Sequence, residues 1–370
     1  MKHFFKRISI GAITTAALLV LSGCGDKAEQ NTKTTTTQPA VKWKLAMSWP
    51  TTLEPLSTPP AKLAQMVEEM SDGKFIIEIQ GAEKHKAPLE ILDMVKNNQF
   101  QMGHTSSYYF KGKSISTALL TTVPFGMNST EQYAWYYYGG GEELTKKVYD
   151  PFKVDCYPGG NTGVQMGGWF KKEINTLNDL KGLKMRIPGM AGEVFSNLGV
   201  VVTNIAPADL YTSLDRGTID ALEWVGPGMD ITMGFHKIAP YYYTGWHEPA
   251  SEMHFFINQA EFAKLPKSYQ TILKTAMRAT AADMMYDNFA KSTNAWQQMQ
   301  NTYPVIKVKT FPKDVLKAMK ASTDKVLNDY ASKDPLFEEI LTSQREFMAK
   351  ARVWTKISEY DYITTSEMVK

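Results

Sequence analysis

The chain has 370 residues and a mass of 41.6 kDa, which is too long for one small core and suits two lobes of ordinary domain size. Apolar residues make up 43%, charged residues make up 21%, and the mean hydropathy of -0.30 excludes a membrane protein with many spans. The formal charge of +3 falls to zero without Lys2, Lys6 and Arg7, because 38 of the 41 basic residues then face 38 acidic ones. A neutral body disfavours DNA or RNA binding.

Residues 1–23 have the order of a bacterial lipoprotein signal peptide. Three positive charges precede an uncharged, mostly apolar run of 14 residues, Ile8 to Leu21, which is too short to span a bilayer as a stable helix. The residues Leu21-Ser22-Gly23-Cys24 follow and resemble a lipobox, in which the cysteine becomes the lipidated N-terminus. The alternative is a plain secretory signal with an incidental cysteine. Lipid on Cys24 would leave Cys156 as the only free cysteine, so we expect no intramolecular disulfide.

Residues 24–41 are predicted to be the lipidated cysteine and a flexible tether. Gly25 to Val41 is polar, rich in threonine and without apolar periodicity. The lipid would anchor the protein to the cell membrane on its periplasmic or extracytoplasmic side, and the folded domain would cover residues 42–370.

Strands and helices alternate from Trp43 onwards. Strands are predicted at Trp43–Ser48 and Phe75–Gln80, and helices at Thr58–Ser71 and Pro88–Asn97. This order predicts parallel βαβ units in an α/β fold. The first helix is indicated by an apolar stripe at helical spacing, which consists of Leu63, Met66, Val67 and Met70.

A second cluster of the same kind lies further along the chain. Its strands are predicted at Lys184–Ile187, Val200–Asn204 and Ala221–Val225, and its helices at Gly192–Leu198 and Pro207–Arg216. Two such clusters predict two similar lobes. Open α/β sheets bind ligands beyond the carboxyl ends of their strands, so the cleft between the lobes is the expected ligand site.

The last third of the sequence is predicted to be helical. Ser268–Thr302 contains no proline or glycine, and a helix of this length measures about 50 Å, enough to run across both lobes. Further helices are predicted at Pro312–Lys333 and Leu336–Thr365. The last helix carries an apolar stripe that predicts a face packed in the core. The alternative is a partner surface, which would form a homodimer through the C-terminal helix. The stripe consists of Phe337, Ile340, Leu341, Phe347, Met348, Ala351 and Trp354.

Sequence motifs of common enzymes are absent. No phosphate-binding loop, no G-x-G-x-x-G after a strand, no G-x-S-x-G and no H-E-x-x-H occurs. Among the scattered histidines, His247 and His254 are the closest pair, and no cysteine joins them as a zinc set. The sequence therefore gives no positive evidence for a hydrolase or a zinc enzyme, although an enzyme of unfamiliar type stays possible.

Two stretches place a polar side chain where an apolar one is expected. Gln165 stands among small and apolar neighbours, either as a ligand contact or as a buried amide that satisfies backbone groups. Arg186 ends a predicted strand just before a helix, where a guanidinium can hold a carboxylate through two hydrogen bonds. The alternative for Arg186 is a salt bridge between the lobes.

Two further stretches place a glutamate in apolar surroundings. Glu223 falls inside an apolar strand, and Glu248 stands among aromatic residues. A lone buried carboxylate costs several kcal/mol unless it is paired, so each needs a cation, a proton or several donors. The alternative is a structural ion pair with a protein cation. Hydroxyl donors for a ligand are available at Ser106, Ser107, Tyr108 and Tyr109, which otherwise form an ordinary half-buried loop.

Seven blocks follow one another along the folded body. They are Val123-Pro124-Phe125-Gly126, Tyr138-Gly139-Gly140-Gly141, Gln165–Phe170, Met185–Gly189, Gly217–Asp220, Glu223–Pro227 and Gly245–Pro249. Together they resemble the DctP-type solute-binding proteins of TRAP transporters, the tripartite ATP-independent periplasmic uptake systems. The nearest branch is the one that binds 2-oxo and 2-hydroxy monocarboxylates with a metal ion. The resemblance implies a two-lobed fold like that of periplasmic binding proteins, with the ligand cleft between the lobes.

The resemblance also implies roles for individual residues. Arg186 would clamp the substrate carboxylate. The metal ligands would be Gln165, Glu223, the main-chain carbonyl of Trp224 and Glu248, with Gln165 also near the substrate, and further substrate contacts would come from Tyr108 and Asn161. The chain departs from relatives at Gly228-Met229 and at Thr244, which affects the shape of the pocket and so the substrate.

The charges of the candidate residues agree with a bound cation. Two glutamates, one arginine and an anionic substrate sum to -2, and like charges 4 Å apart repel by about 4 kcal/mol at a surface-like dielectric. All the proposed ligands are oxygen donors, so Na⁺ or Ca²⁺ fits and a soft metal does not. No organic cofactor is expected.

The leading hypothesis is a lipid-anchored binding protein, not an enzyme, that delivers a small organic acid such as pyruvate or lactate to membrane permease subunits. The alternatives are an extracytoplasmic enzyme that acts on a similar acid and a sensor with the same fold.

Overall fold

The structure, a computed structural model, describes residues 38–369, so the predicted signal peptide and Cys24 lie outside the described residues. The described chain from Pro39 onwards forms one unit that contains two β-sheets. The strands are β1 (Val41–Met47), β2 (Phe75–Gln80), β3 (Met102–Thr105), β4 (Val154–Asn161), β5 (Gly168–Phe170), β6 (Lys184–Arg186), β7 (Val201–Thr203), β8 (Ala221–Leu222), β9 (Tyr241–Tyr243), β10 (Glu252–Asn258) and β11 (Lys307–Lys309).

Each sheet is the centre of one lobe. The sheet of the first lobe has the order β2-β1-β3-β10-β4, and that of the second has the order β11-β9-β5-β8-β6-β7. Strand β1 pairs in parallel with β2 and β3, and β6 pairs in parallel with β7 and β8. The parallel βαβ units and the two lobes predicted from the sequence are confirmed.

Helices surround both sheets. They are α1 (Thr58–Met70), α2 (Ala82–His85), α3 (Ile91–Lys96), α4 (Ser116–Thr121), α5 (Ser129–Tyr138), α6 (Gly141–Tyr149), α7 (Gly189–Asn197), α8 (Leu210–Asp215), α9 (Pro227–Met233), α10 (Gln259–Lys264), α11 (Lys267–Thr302), α12 (Lys313–Ala331), α13 (Pro335–Ile357) and α14 (Glu359–Met368). Among the helices of residues 38–369, none combines the length and apolar character that a membrane-spanning helix needs.

The chain passes between the lobes in three places before α12. One crossing segment links β4 to β5 and a second links β9 to β10, and the long helix α11 packs on α1 and β4 of the first lobe and on α9 of the second. Helix α11 has 36 residues and begins one residue before the predicted start. The expected lobe-spanning helix is therefore confirmed, and it joins the apolar cores of both lobes into one cluster.

The C-terminal helices cover the remaining apolar faces. Helix α12 packs on α7 and contributes Val315 and Met319 to the core of the second lobe. Helix α13 packs on α4, α5 and α6 and contributes Phe337 and Ile340 to the core of the first lobe. The helical C-terminus expected from the sequence therefore connects the two lobes a fourth time, between α12 and α13.

The predicted helix over Leu336–Thr365 is wrong in one respect, because the helix is broken. Ser358 has φ -109° and ψ -100°, which ends α13 and begins α14. Trp354 is 65% exposed and so does not belong to the core stripe, because the second half of α13 extends beyond the helices on which its first half packs. Phe347 and Met348, between the two halves, are half-buried.

Three smaller predictions also need correction. Helix α3 begins at Ile91 rather than Pro88, because a turn closed by the bond from Glu90 N–H to the Ala87 carbonyl (3.2 Å) precedes it. Met70 is 42% exposed, since it lies at the end of α1 beyond the core contacts of Leu63 and Val67. Strand β8 ends at Leu222 rather than at position 225, because its neighbour β6 ends at Arg186 and Val225 bonds to the Asp230 side chain and to the crossing segment at Met166.

Candidate ligand and metal site

Arg186 and Glu223 meet at the carboxyl edge of the second sheet. Arg186 is the last residue of β6, and Glu223 follows the last residue of its parallel neighbour β8. Parallel strands end at the same edge, so the two residues become neighbours, and Glu223 N–H donates to the Arg186 carbonyl at 3.0 Å. The fold thus places a cation and a carboxylate side by side where the sequence pattern predicted a site.

Gln165 and Glu248 lie on the two crossing segments. Gln165 follows β4, Glu248 precedes β10, and Gln165 N–H donates to the Glu248 carbonyl at 2.9 Å. The segments approach so closely that a Cβ atom built on Gly245 would lie 1.9 Å from the Gln165 carbonyl oxygen. A glycine is therefore required at position 245 for the two side chains to reach the same place.

An acidic cluster forms where these elements converge. It consists of Glu223, His247 and Glu248, which are all buried and whose candidate ligand atoms lie within 4.8 Å of one another. Burial raises the pKa of Glu223 to about 8. Burial and, second, the charge of Glu223 raise the pKa of Glu248 to about 7. Both carboxyl groups therefore lack the solvation that an ionised carboxylate needs.

Three buried oxygen atoms around the cluster have no hydrogen-bond partner in residues 38–369. They are Gln165 Oε1, Glu223 Oε1 and Glu248 Oε2. A buried acceptor without a donor costs about 1–3 kcal/mol. Three such oxygens from three segments of the chain form the donor set that a hard cation prefers, so the residues fit the sodium or calcium ion expected from the sequence.

His247 is a member of the cluster that the sequence did not identify. Its Nε2 lies 3.4 Å from Glu223 Oε1, and neither ring nitrogen makes a hydrogen bond in the described part of the chain. Burial lowers its pKa to about 4, so the ring is neutral at pH 7. The only signal in the sequence was its position next to Glu248. His254, with which the sequence could pair it, instead accepts from Ser107 Oγ in the first lobe.

The Arg186 guanidinium is 1% exposed and partly free. Nη1 donates to the Glu223 carbonyl at 2.6 Å and approaches Glu223 Oε2 at 3.3 Å. Nε is 3.4 Å from the Ile205 carbonyl, and Nη2 makes no hydrogen bond within residues 38–369. The ion pair lies within the second lobe, so the alternative of a salt bridge between lobes is wrong. Nη2 therefore has no protein acceptor in the described part of the chain.

Arg186 and Gln165 line one cavity together with Tyr108 and Trp224. The cavity measures about 20 Å³, which is room for one or two water molecules. Tyr108 comes from the first lobe and Trp224 from the second. The centre of the Trp224 ring lies 5.6 Å from the Arg186 guanidinium. The cavity therefore lies in the cleft between the lobes, beside the acidic cluster.

Asn161 is not brought to this cavity. Its amide Nδ2 donates to Gln132 Oε1 at 3.0 Å and to Glu252 Oε2 at 2.9 Å, and its Oδ1 accepts from Ser129 Oγ and Gly163 N–H. All its polar atoms are thus satisfied by protein groups, which suits a structural role at the start of the crossing segment.

Of the hydroxyl residues in the loop after β3, some line the cavity and one bonds to protein groups instead. Ser106 and Tyr109 line the cavity with Tyr108. Ser107 instead accepts from Tyr149 OH at 2.7 Å and therefore donates to His254 Nδ1 at 3.0 Å.

Asp230 supports the segment that carries Glu223 and Trp224. Its carboxylate accepts from the main-chain N–H groups of Val225 and Gly226 at 3.1 and 3.0 Å. It also accepts from Trp169 Nε1 and Tyr242 OH, both at 2.9 Å. The sequence gave no sign of this role, because it depends on side chains from two other strands.

Comparison with known proteins identifies one family of bacterial solute-binding proteins. The family model of DctP, bacterial extracellular solute-binding protein family 7, matches residues 45–334. A monocarboxylate 2-oxoacid-binding periplasmic protein from Nostoc sp. is 38% identical over 359 residues, which is 96% of each chain.

Two solved structures are more similar still. A TRAP periplasmic solute-binding protein from Colwellia psychrerythraea, with bound calcium and pyruvate, has 51% identity and a TM-score of 0.87, and the match covers 88% of this chain and 99% of that one. A TRAP periplasmic solute-binding protein from Pseudoalteromonas atlantica, with bound sodium and pyruvate, has the same identity, TM-score and coverage.

Proposed function

The chain belongs to the DctP family of bacterial extracellular solute-binding proteins, and we propose that it captures a small 2-oxo or 2-hydroxy monocarboxylate together with Ca²⁺ or Na⁺. Pyruvate and lactate are the leading candidates, because two relatives of 51% identity hold pyruvate with calcium or sodium. The protein would deliver the acid to the membrane permease of a TRAP transporter. The family and these relatives are solute-binding proteins, not enzymes, so the alternative of an enzyme is wrong.

One observation carries this proposal. Three unpartnered buried oxygens lie beside an arginine whose Nη2 is free. Gln165, Glu223, the main-chain carbonyl of Trp224 and Glu248 would hold the ion, and Arg186 would hold the substrate carboxylate. The bound ion would supply the positive charge that lets two carboxylates and an anionic substrate share one buried site.

The size of the cavity supports binding with movement of the lobes. At about 20 Å³ it is smaller than an organic acid of six non-hydrogen atoms, so a substrate enters only when the lobes separate. Tyr108 of the first lobe would then close over the substrate, and the indole of Trp224 would form the opposite wall.

Calorimetric titration of pyruvate and lactate tests the proposal. We expect saturable binding in Ca²⁺ or Na⁺, and binding weaker by at least tenfold when the ion is replaced by a large organic cation. Arg186→Lys should weaken pyruvate binding strongly, because an ammonium cannot replace the planar guanidinium. Arg216→Lys changes an exposed arginine at the end of α8 and is the control. Unchanged affinity in Arg186→Lys would remove the clamp from the mechanism.

The lipid anchor is a separate proposal, supported by the order of charge, apolar run and lipobox before Cys24. The membrane would then hold the protein through the residues between Cys24 and β1, which act as a tether; the expected tether is one residue too long, since Val41 already pairs with Phe75 in the first sheet. Cys24→Ala should move the protein from the membrane fraction to the soluble extracytoplasmic fraction, whereas Cys156→Ala should not. Membrane association of the Cys24 variant after a high-salt and carbonate wash would contradict the anchor.

A homodimer through the C-terminal helices is the third proposal. Trp354, Ile357, Tyr360 and Ile363 at the junction of α13 and α14 are 57–68% exposed. Several exposed apolar side chains within ten residues are typical of an interaction surface, and a second copy of the chain would bury them. Sedimentation equilibrium should show a dimer that Trp354→Glu dissociates. Phe289→Glu alters an exposed aromatic residue on α11 and is the control. A wild-type monomer at high concentration would contradict the proposal.

A further inference from the structure

A second cavity lies between the C-terminal helices and the loop that follows α4. It measures about 80 Å³ and shares no lining residue with the cavity at Arg186. This is the room of roughly five to eight water molecules. Its apolar wall is formed by Leu119, Phe125, Met127, Leu327, Leu341 and Met348. The cavity is therefore large enough for a molecule of about five non-hydrogen atoms with an apolar body.

Two acceptors in the wall have no donor. The Gln344 side chain, which is 4% exposed, donates from Nε2 to the Leu119 carbonyl at 2.9 Å, and this bond fixes its Oε1 as an acceptor. Neither Gln344 Oε1 nor Thr122 Oγ1 has a hydrogen-bond partner in the described residues. The other amide in the wall, Gln132, is satisfied by the carbonyls of residues 120 and 121. A ligand with an N–H or O–H donor would relieve a cost that an apolar ligand would leave in place.

The charges at the rim, taken with the two acceptors in the wall, favour a neutral ligand with a donor. Lys320 and Asp324, which are half-exposed at the rim, form an ion pair with each other and so leave no net charge there. Arg345, also at the rim, donates to Asn328 Oδ1. A cationic ligand would find no free carboxylate on this rim, and an anion held by Arg345 would still leave Gln344 Oε1 and Thr122 Oγ1 without a donor.

The cavity is built from parts that follow different lobes. Residues 119–127 and α13 belong to the first lobe, whose core also takes Leu327 of α12. Helix α12 packs on α7 of the second lobe through Val315 and Met319, and Phe125 lies against that second core. Phe125 has φ 57°, a left-handed conformation that is strained for a bulky residue. It is held by its N–H bond to the Trp246 carbonyl at 2.9 Å and by ring contact at 5.7 Å. Trp246 directly precedes His247 of the acidic cluster.

We propose that this cavity is a second binding site for a small neutral molecule with an apolar body and one N–H or O–H donor, and that its occupancy is coupled to closure of the lobes. The occupant contacts Phe125, α12 and α13, so its affinity changes when the lobes move apart. The donor bonds to Gln344 Oε1.

Pyrrole and furan form a matched pair of probes, because the rings have nearly the same size and only pyrrole has an N–H donor. In ligand-observed NMR titrations we expect saturable binding of pyrrole at millimolar concentration or below, and furan binding weaker by at least tenfold. Gln344→Leu should reduce the affinity for pyrrole to that for furan. Equal affinities of the two probes for the wild-type protein would overturn the assignment of the ligand class.

A second variant keeps the test decisive if Gln344→Leu does not fold. Met348→Trp fills the cavity from a half-buried position and should abolish binding of both probes without lowering the unfolding temperature. Met70→Trp places the same side chain at an exposed end of α1 and is the control. Retained pyrrole binding in Met348→Trp would overturn the site.

The coupling is tested with saturating Ca²⁺ and pyruvate, and this step rests on the proposed function. We expect the affinity for pyrrole to change by at least fivefold, the lower end of typical coupling between two sites. An unchanged affinity in a sample in which calorimetry shows bound pyruvate would overturn the coupling. A sample that binds no pyruvate would instead contradict the proposed function, and the comparison of pyrrole with furan would still decide whether the second site exists.

Discussion

Glu248→Gln tests the acidic cluster because the expected change in stability has an unusual sign. The candidate ligand atoms of Glu223 and Glu248 lie within 4.8 Å, and two unit charges at that distance repel by about 3.5 kcal/mol at an effective dielectric of 20. At pH 9, above the pKa values of about 8 and about 7, both carboxyl groups of the ion-free protein are ionised. The substitution removes this repulsion and keeps the shape, so the free energy of unfolding without an ion should rise by about 1–3 kcal/mol.

The same substitution should weaken the binding of calcium. One negative ligand is lost, and a loss of about 1.4 kcal/mol already lowers affinity tenfold, so we expect at least that change. Urea unfolding at pH 9 with a chelator gives the stability, and calorimetry gives the affinity for Ca²⁺.

Glu252→Gln is the matched control for this variant. Glu252 is a buried carboxylate outside the cluster that accepts from Gly159 N–H, Gly160 N–H and Asn161 Nδ2. Both oxygens of Glu252 accept hydrogen bonds, and a glutamine would replace one of them with an NH2 group that faces another donor. Glu252→Gln should therefore destabilise the protein with or without the ion and leave calcium affinity unchanged. The reasoning is refuted if Glu248→Gln behaves in the same way as Glu252→Gln.

Three further predictions concern the crossing segments, the first lobe and the substrate contact. Gly245→Ala should lower the free energy of unfolding by more than about 3 kcal/mol and abolish pyruvate binding, since its Cβ would lie 1.9 Å from a backbone oxygen. Gly112→Ala is the control and should cost little, because a Cβ at position 112 would meet no atom within 4 Å. Equal costs in urea unfolding would contradict the prediction. Burial and, second, His104 lower the pKa of His254 to about 3, so this histidine contributes stability above pH 6.5 that is lost as pH falls towards 3. The destabilisation caused by His254→Asn should therefore shrink by about 2 kcal/mol between pH 6.5 and pH 5, and a constant difference in urea unfolding would refute this. Tyr108→Phe should lower pyruvate affinity about tenfold, the value of a hydrogen bond to a charged group, while Ca²⁺ binding alone stays unchanged; a parallel loss of both in calorimetry would place Tyr108 among the ion ligands.

Elements with strong local signals were predictable from the sequence. Strand β2 has the predicted bounds, Phe75–Gln80, because apolar alternation and flanking turns define it locally. Helix α11 differs by one residue, since a run without proline or glycine leaves few other structures open. The break at Ser358 was not predictable, because no proline or glycine marks it and the helical pattern continues on both sides. Local patterns therefore predicted which helices and strands form, but not every residue at which they begin or end.

The site was predictable only where burial conflicts with polarity. Glu223 was singled out because a charge inside an apolar strand needs a partner, and Arg186 because it ends a strand just before a helix; the structure pairs the two, as the alternative for Glu223 expected, and leaves their roles at a ligand as predictions. His247 and Asp230 were missed, because histidine is common in cores and the four donors to Asp230 come from three separate segments. Asn161 had the right neighbours in sequence, but its amide is occupied by Gln132 and Glu252. Contacts between distant segments decide these roles.

The distribution of the ligands over the fold implies an order of binding. Glu223 and Trp224 belong to the second lobe, and the crossing segment of Gln165 bonds to the same lobe through Met166 N–H to the Val225 carbonyl at 2.8 Å. Glu248 is tied to that segment by its own carbonyl. The proposed ion ligands therefore stay together when the lobes separate, whereas Tyr108 moves away with the first lobe. We expect the ion to bind the open protein first, and the substrate to bind an ion already in place and then draw Tyr108 over it.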